Sequence, residues 1–433
     1  MFEQLNFRVN FNDADYSILS IPPGDRMVLR ELAKRVAEAA HRPIMDEKRS
    51  LWKRHNALER TPPVVLCDPE NGWNEIITGK DLACVNNVAR YWENHLRKQL
   101  FWADRMGDDY VVEPIFNTPY IYDDSQWSIR GVTKDYTKRK TAEDGKAYHI
   151  EKILDDFTQL DQLAEPRLVV DYETSFRALE QAHHIFDGIL TVRLNSIWFW
   201  SFGLTDDYVF LRGMEQMMFD LVDEPENVHR LMEILYKGMM SRLDFLESHN
   251  LLCLNNDGTY VGSGGMGYID NVLPAGDFRG TVRTKDMWGL AESQVTVGVS
   301  PDMFEEFVFP YQRRLMERFA LTCYGCCEPM DDRFDIVRQA KNLRRVSVSP
   351  WADKRLMAEK LGRGYIYSMK PSPSPLALPV LDEELARKDI REYLSIGKDN
   401  CLELIMKDNH TLGNNPENIV GWTRIVREEI DRM

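Results

Sequence analysis

The chain has 433 residues, 43% of them hydrophobic, and its 69 acidic and 54 basic residues leave a formal charge of −15. That charge argues against nucleic acid as the main partner, since contact with a phosphate backbone needs a basic face, and it suits a small molecule or another protein. No run of ~18 apolar residues marks a membrane span, no basic region followed by an apolar core marks a signal peptide, and the cysteines lack a disulfide-like framework, so a cytoplasmic, reducing setting is expected.

The length suits one barrel domain with additions or two domains. Residues 1–20 carry no periodic pattern. After Pro22-Pro23-Gly24, with Asp25 as the expected N-cap, Val28, Leu29, Leu32, Val36 and Ala39 recur at helical spacing. Residues 46–59 read the same way, so 1–60 form an N-terminal helical extension. From residue 61 onward, short apolar runs alternate with longer amphipathic ones. The strand-like runs are 64–67, 110–116, 190–194, 251–254, 287–291, 319–321, 345–348, 365–369 and 402–406. Helical patterns cover 80–106, 152–188, 222–248, 302–318, 331–341, 352–362, 381–394 and 415–430. Such alternation predicts a parallel sheet. Nine candidates against eight suit an α/β fold of the (β/α)8 TIM barrel type over 61–433, with an open doubly wound sheet as the alternative. No Gly-x-Gly-x-x-Gly turn follows the first strand, so a dinucleotide fold has no local support. Residues 119–150, rich in Asp, Lys, Thr and Tyr, break the rhythm and are expected to be a lid-like insertion.

The densest chemistry lies in Cys323-Tyr324-Gly325-Cys326-Cys327-Glu328-Pro329. A short apolar run precedes it and Pro329 ends it, so the thiols fall at or just past a strand's carboxyl end, where barrel enzymes keep their chemistry. Soft thiolates beside a carboxylate suit Zn2+; buried core cysteines are the plain alternative. On a regular strand Cys326 and Cys327 point to opposite faces, so both serve as ligands only if the backbone turns there. Polar residues follow the other strand candidates too: Asp68, Asn195 and Ser196, Asn255 to Asp257, Glu292 to Gln294, Lys370, and Asp408 to His410. A parallel stack brings them to one mouth. His410 is the candidate distant metal ligand. Tyr120 and Tyr122 follow the second strand, and Trp198 and Trp200 the third; they are candidates for the wall of an aromatic-binding pocket, or ordinary core. The glycine-rich stretch 261–267 reads as a loop; it lacks the lysine of a P-loop, which excludes that mode of ATP binding.

Trp288-Gly289-Leu290-Ala291-Glu292-Ser293-Gln294, Tyr324-Gly325-Cys326-Cys327-Glu328 and Asn415-Pro416-Glu417-Asn418-Ile419 resemble the uroporphyrinogen decarboxylase superfamily, and more closely its corrinoid-dependent methyltransferase branch, over residues 60–430. The resemblance implies a zinc site built on a His-x-Cys pair and a third ligand near the C-terminus. Here Tyr324 stands where that histidine would be, so the implied ligands come from Cys326, Cys327, Glu328 and His410. The arginine-rich N-terminal run of true decarboxylases is missing. The implied activity takes a methyl group from a small methylated substrate, an aryl methyl ether being favoured, and passes it to the cobalt of a separate corrinoid (cobalamin-binding) protein. Glu292, Asp257 or a lid tyrosine would protonate or orient the leaving group. Alternatives are a methylcorrinoid:thiol methyltransferase, a decarboxylase, and a non-catalytic zinc- or corrinoid-binding protein.

Overall fold

The computed structural model describes Tyr16 and residues 19–129, 139–140, 148–149, 152–195 and 201–433. Two helices open it, α1 (Pro23–Ala40) and α2 (Pro43–Asn56), each with proline in its first turn, where the missing N–H has no partner to lose. Asp25 does not cap α1. It lies inside the first turn, and its carboxylate accepts the N–H groups of Val85 and Asn86, fixing the entry to a third helix, α3 (Asn87–Phe101).

Parallel strands follow: β1 (Val64–Cys67), β2 (Ile115–Pro119), β3 (Thr191–Asn195), β4 (Trp288–Ala291), β5 (Leu321–Tyr324), β6 (Leu343–Val348), β7 (Ile366–Met369) and β8 (Cys401–Met406). Six of them form one sheet in the order β1–β8–β7–β6–β5–β4, while β2 and β3 pair separately. The fold is therefore mixed α/β with a parallel sheet, and among the described residues the strand ladder does not close into a ring. At both rims side chains stand where another strand would pair. Asp109 accepts the Val65 N–H on its carboxylate, and its own N–H donates to the Val65 carbonyl, both at 2.8 Å. The Asn255 amide accepts the N–H of Trp288 and donates to its carbonyl, both at 2.9 Å. The strand expected at 251–254 accordingly does not form a ladder with its neighbours among the described residues.

The register sorts the sheet into two faces. Cys401, Glu403, Ile405 and Lys407 of the β8 segment lie level with Ile366, Ser368 and Lys370 of β7, and these with Arg345, Ser347 and Ser349 of β6. Cys323 and Leu290 continue the row into β5 and β4, and Leu66 and Asp68 into β1. Alternate residues such as Val346, Tyr367, Leu402 and Leu404 join the main apolar core on the other face, under the helices. The polar face is filled from within by residues 260–274. Val261, Ile269 and Leu273 pack with Trp288, Leu290, Leu321, Cys323, Ile366 and Cys401 in a second apolar cluster. The glycine-rich stretch is thus an interior segment. Gly262 adopts φ +73, and a Cβ there would lie 2.8 Å from the Cys323 sulfur.

The insertion after β2 carries antiparallel ribbon strands: Ile121–Asp124 pairs with Leu168–Asp171, and Ser128–Ile129 with Leu163–Ala164. The helix expected over 152–188 is confined to Tyr172–Phe186, because ribbon strands take the preceding residues. Most of the expected lid, 130–138, 141–147 and 150, lies outside the described residues. Among the described residues no helix is long and apolar enough to cross a membrane.

Candidate functional site

The carboxyl end of the polar face collects titratable groups. After β5 the chain turns at Gly325, whose φ of +92 suits glycine. That turn removes the face-to-face opposition of a regular strand, and the Cys326 and Cys327 sulfurs lie 3.6 Å apart. Cys326 is buried and Cys327 exposed. The Lys407 ammonium, from the end of β8, lies 3.8 Å from the Cys326 sulfur and 3.6 Å from Asp408. The hydrogen bond with Cys327, then burial, push the Cys326 thiol up, while Lys407 pulls against them. Burial alone would depress Lys407, but Cys326 and Asp408 outweigh it and hold the ammonium charged.

Glu328, expected among the metal ligands, has another role. One carboxylate oxygen accepts the Ser293 N–H at 2.8 Å and the other the Cys326 N–H at 2.9 Å, so it pins the turns after β4 and β5 together. His410 is exposed on the β8 loop. Cys326, Cys327, Glu328 and His410 therefore do not assemble as a ligand set, and among the described residues no three His, Cys, Asp or Glu side chains come together around a cation position. The two sulfurs alone fit one edge of a zinc tetrahedron, ~3.8 Å for a Zn–S bond of ~2.3 Å.

Glu292, at the end of β4, is fully buried and accepts the Gln294 N–H at 2.8 Å. Burial, then the charges of Asp206 and Glu328, raise its carboxyl well above the usual range. Asp257 goes elsewhere: it accepts from Thr259 and pairs with Arg193 of β3 at 3.0 Å. Tyr120 and Tyr122 are half-buried at the root of the ribbon, and Tyr120 meets the Tyr172 ring edge-on at 6.4 Å. Trp198 and Trp200 lie outside the described residues.

Asp68, expected at the mouth as the polar residue after β1, is buried there, with one oxygen accepting the Glu70 N–H at 2.9 Å and the other unpartnered. Burial lifts its carboxyl to about 7, against the Glu70 amide and Lys407. Glu70 is lifted further by burial and by Asp68. Both Glu70 (φ 47) and Asp408 (φ 61) hold left-handed backbones that non-glycine residues seldom adopt. Lys407, Glu70 and Arg345 were not singled out from sequence: Arg345 lies within an apolar strand, Lys407 directly after one, and Glu70 in the short helical turn after β1. Below them Arg345 pairs with Glu403 at 3.0 Å, and Glu403 with His55 of α2 at 3.1 Å, all buried.

No known protein family matches the chain, and no curated protein does. Among solved structures, a methyltransferase from Methanosarcina mazei is similar with a TM-score of 0.45 and 11% identity, over 89% of this chain and 99% of that one.

Proposed function

We propose that the chain is a methyltransferase that removes a methyl group from a small methylated substrate, an aryl methyl ether being favoured, for transfer to a corrinoid held by a separate protein. The observation that carries this reading is Glu292, a buried carboxyl at the carboxyl end of a parallel sheet, pushed well above the usual range by burial and by the charges of Asp206, Glu328 and Cys326. An ether oxygen is a poor leaving group as an anion, and a carboxyl that keeps its proton at neutral pH can supply it as the methyl–oxygen bond breaks. In this reading Tyr120 and Tyr122, half-buried after β2, would flank the substrate's aromatic ring. The buried setting excludes water, which strengthens these interactions. No step is assigned to a metal, because the expected ligands do not assemble.

The sulfur–sulfur distance favours a second reading, in which Cys326 and Cys327 hold a zinc ion whose other positions are filled from outside the described set. The two separate on assay of methoxylated aromatics with a methyl-accepting corrinoid protein. On the first reading Glu292→Gln lowers turnover by roughly 100-fold or more, and chelation leaves wild-type turnover unchanged. Loss of activity on chelation, restored by zinc, supports the second. Wild-type turnover in Glu292→Gln overturns the first.

A further inference from the structure

Lys370 is a buried cation without the compensation its neighbours have. Its side chain is 2% exposed, yet among the described residues it forms no ion pair. Buried charges are ordinarily paired, and among the described residues the other buried cations except Arg333 follow that rule. Arg345 has Glu403, Arg212 has Asp220, Arg242 has Asp124 and Lys407 has Asp408. Arg333 spends its guanidinium on the carbonyls of Thr296 and Val299. Lys370 has only Ser368, two residues back on β7: its Nζ lies 2.6 Å from the hydroxyl and 3.3 Å from the carbonyl.

Its placement is equally specific. Lys370 directly follows β7 on the polar face, and its N–H donates to Val348 of β6. Lys407, Arg345 and Cys326 are close enough to act on its charge. Burial, then the repulsion of Lys407 and Arg345 against the pull of Glu403, bring its ammonium down to about 7. A desolvated lysine near other cations is a setting in which an amine serves as a nucleophile toward carbonyl carbon. The strand end supplies the location.

We propose that Lys370 is a carbonyl-capturing residue, binding a small aldehyde as an imine at the carboxyl end of β7. The amine lone pair adds to the carbonyl carbon, and a nitrogen proton passes to the oxygen. The oxygen then leaves as water while the C=N bond forms, and nothing is oxidised or reduced. The Ser368 hydroxyl accepts from the ammonium and can donate to the free amine, so it can carry the proton between nitrogen and oxygen. The proposal stands on the site's geometry and does not require methyl transfer, so failure of the methyl-transfer assay leaves it intact.

The test uses the full chain at pH 7 with limiting formaldehyde and cyanoborohydride, which reduces any imine to a stable methylamine, followed by peptide mapping. An ordinary lysine is almost wholly protonated at that pH, so the expected result is methylation of Lys370 about 10-fold or more ahead of the exposed Lys80, Lys388 and Lys398. In Lys370→Arg the fast-labelled peptide should vanish while the surface pattern is unchanged. Labelling of Lys370 at or below the rate of the exposed lysines in the wild-type chain overturns the proposal, whether or not the variant folds.

Discussion

Asp68 and Lys407 stand side by side on adjacent strands: the Cys67–Met406 register of β1 and β8 continues by one residue and sets a carboxyl group next to an ammonium group. The carboxyl nevertheless sits at about 7, because burial outweighs the cation. An unfolded aspartate titrates near 3.9. Between those values the unfolded chain gives up a proton that the folded chain retains, so this residue's contribution to stability falls as pH rises from ~4 to ~7. Asp68→Asn escapes that loss. It is expected to be more stable than wild type at pH 8 by roughly 2–4 kcal/mol, with the gap closing toward pH 4. Chemical denaturation at the two pH values checks this, and an unchanged gap refutes it.

The bonds from Glu328 to two backbone amides assign it a structural role. Glu328→Ala leaves both N–H groups buried and unpaired and should cost ~2–4 kcal/mol. Glu328→Gln keeps one acceptor and should cost about half of that. Zinc content, by elemental analysis, should be the same in Glu328→Gln as in wild type. A drop in zinc with no loss of stability would instead make Glu328 a ligand.

His55, Glu403 and Arg345 make a buried charge line beneath the site. Burial opposes the imidazolium, but Cys401 and Glu403 outweigh it and raise His55 to about 9. Burial likewise opposes the Glu403 carboxylate, yet Arg345 and His55 hold it down to about 2. The His55 contribution is therefore present below ~6.5 and lost as pH rises toward 9, and the Glu403 contribution is present above ~4.5 and lost as pH falls toward 2. The joint contribution of His55 and Glu403 should be at its full value between these limits, on top of the slope that Asp68 imposes. His55→Gln should flatten the alkaline limb, and Glu403→Gln, which strands Arg345, should cost ~3–5 kcal/mol. An alkaline limb unaltered in His55→Gln counts against the pairing.

Gly262 combines a left-handed backbone with a neighbour at 2.8 Å. Gly262→Ala should cost ~2 kcal/mol or more, from backbone strain and displacement of Cys323. Gly24→Ala is a control, because nothing lies within 4 Å of its added Cβ. Thermal melting of the two variants measures the difference.

Strands β1, β7 and β8 were readable within about a residue because buried parallel strands are continuous apolar runs bounded by polar turns. The 251–254 run has the same composition, but Asn255 replaces its ladder with side-chain bonds, which no apolar pattern encodes. The ribbon after β2 was missed because its strands, two to four residues long, are too short to show an alternation. At the site, the clustered cysteines and Glu292 were visible as residue types. The use of Glu328 as an amide acceptor was not, since it depends on where two turns meet. Lys407 and Arg345 were hidden by position: each sits in or beside an apolar run, and only the register shows that they share a face.

The segment that fills the inside of the sheet has a kinetic consequence. Asn56 of α2 donates to the carbonyls of Met266 and Tyr268 at 2.8 Å, and its own side-chain oxygen accepts from Arg345. Three stretches of chain, each separated by tens to hundreds of residues, must meet before all of these groups are satisfied. Closing loops of that size is entropically costly before the contacts repay it. The polar face is therefore completed late in folding, and a chain halted before β6 would lack Arg345, Glu403 and Lys407 and leave Val261, Ile269 and Leu273 without Ile366 and Cys401 to pack on.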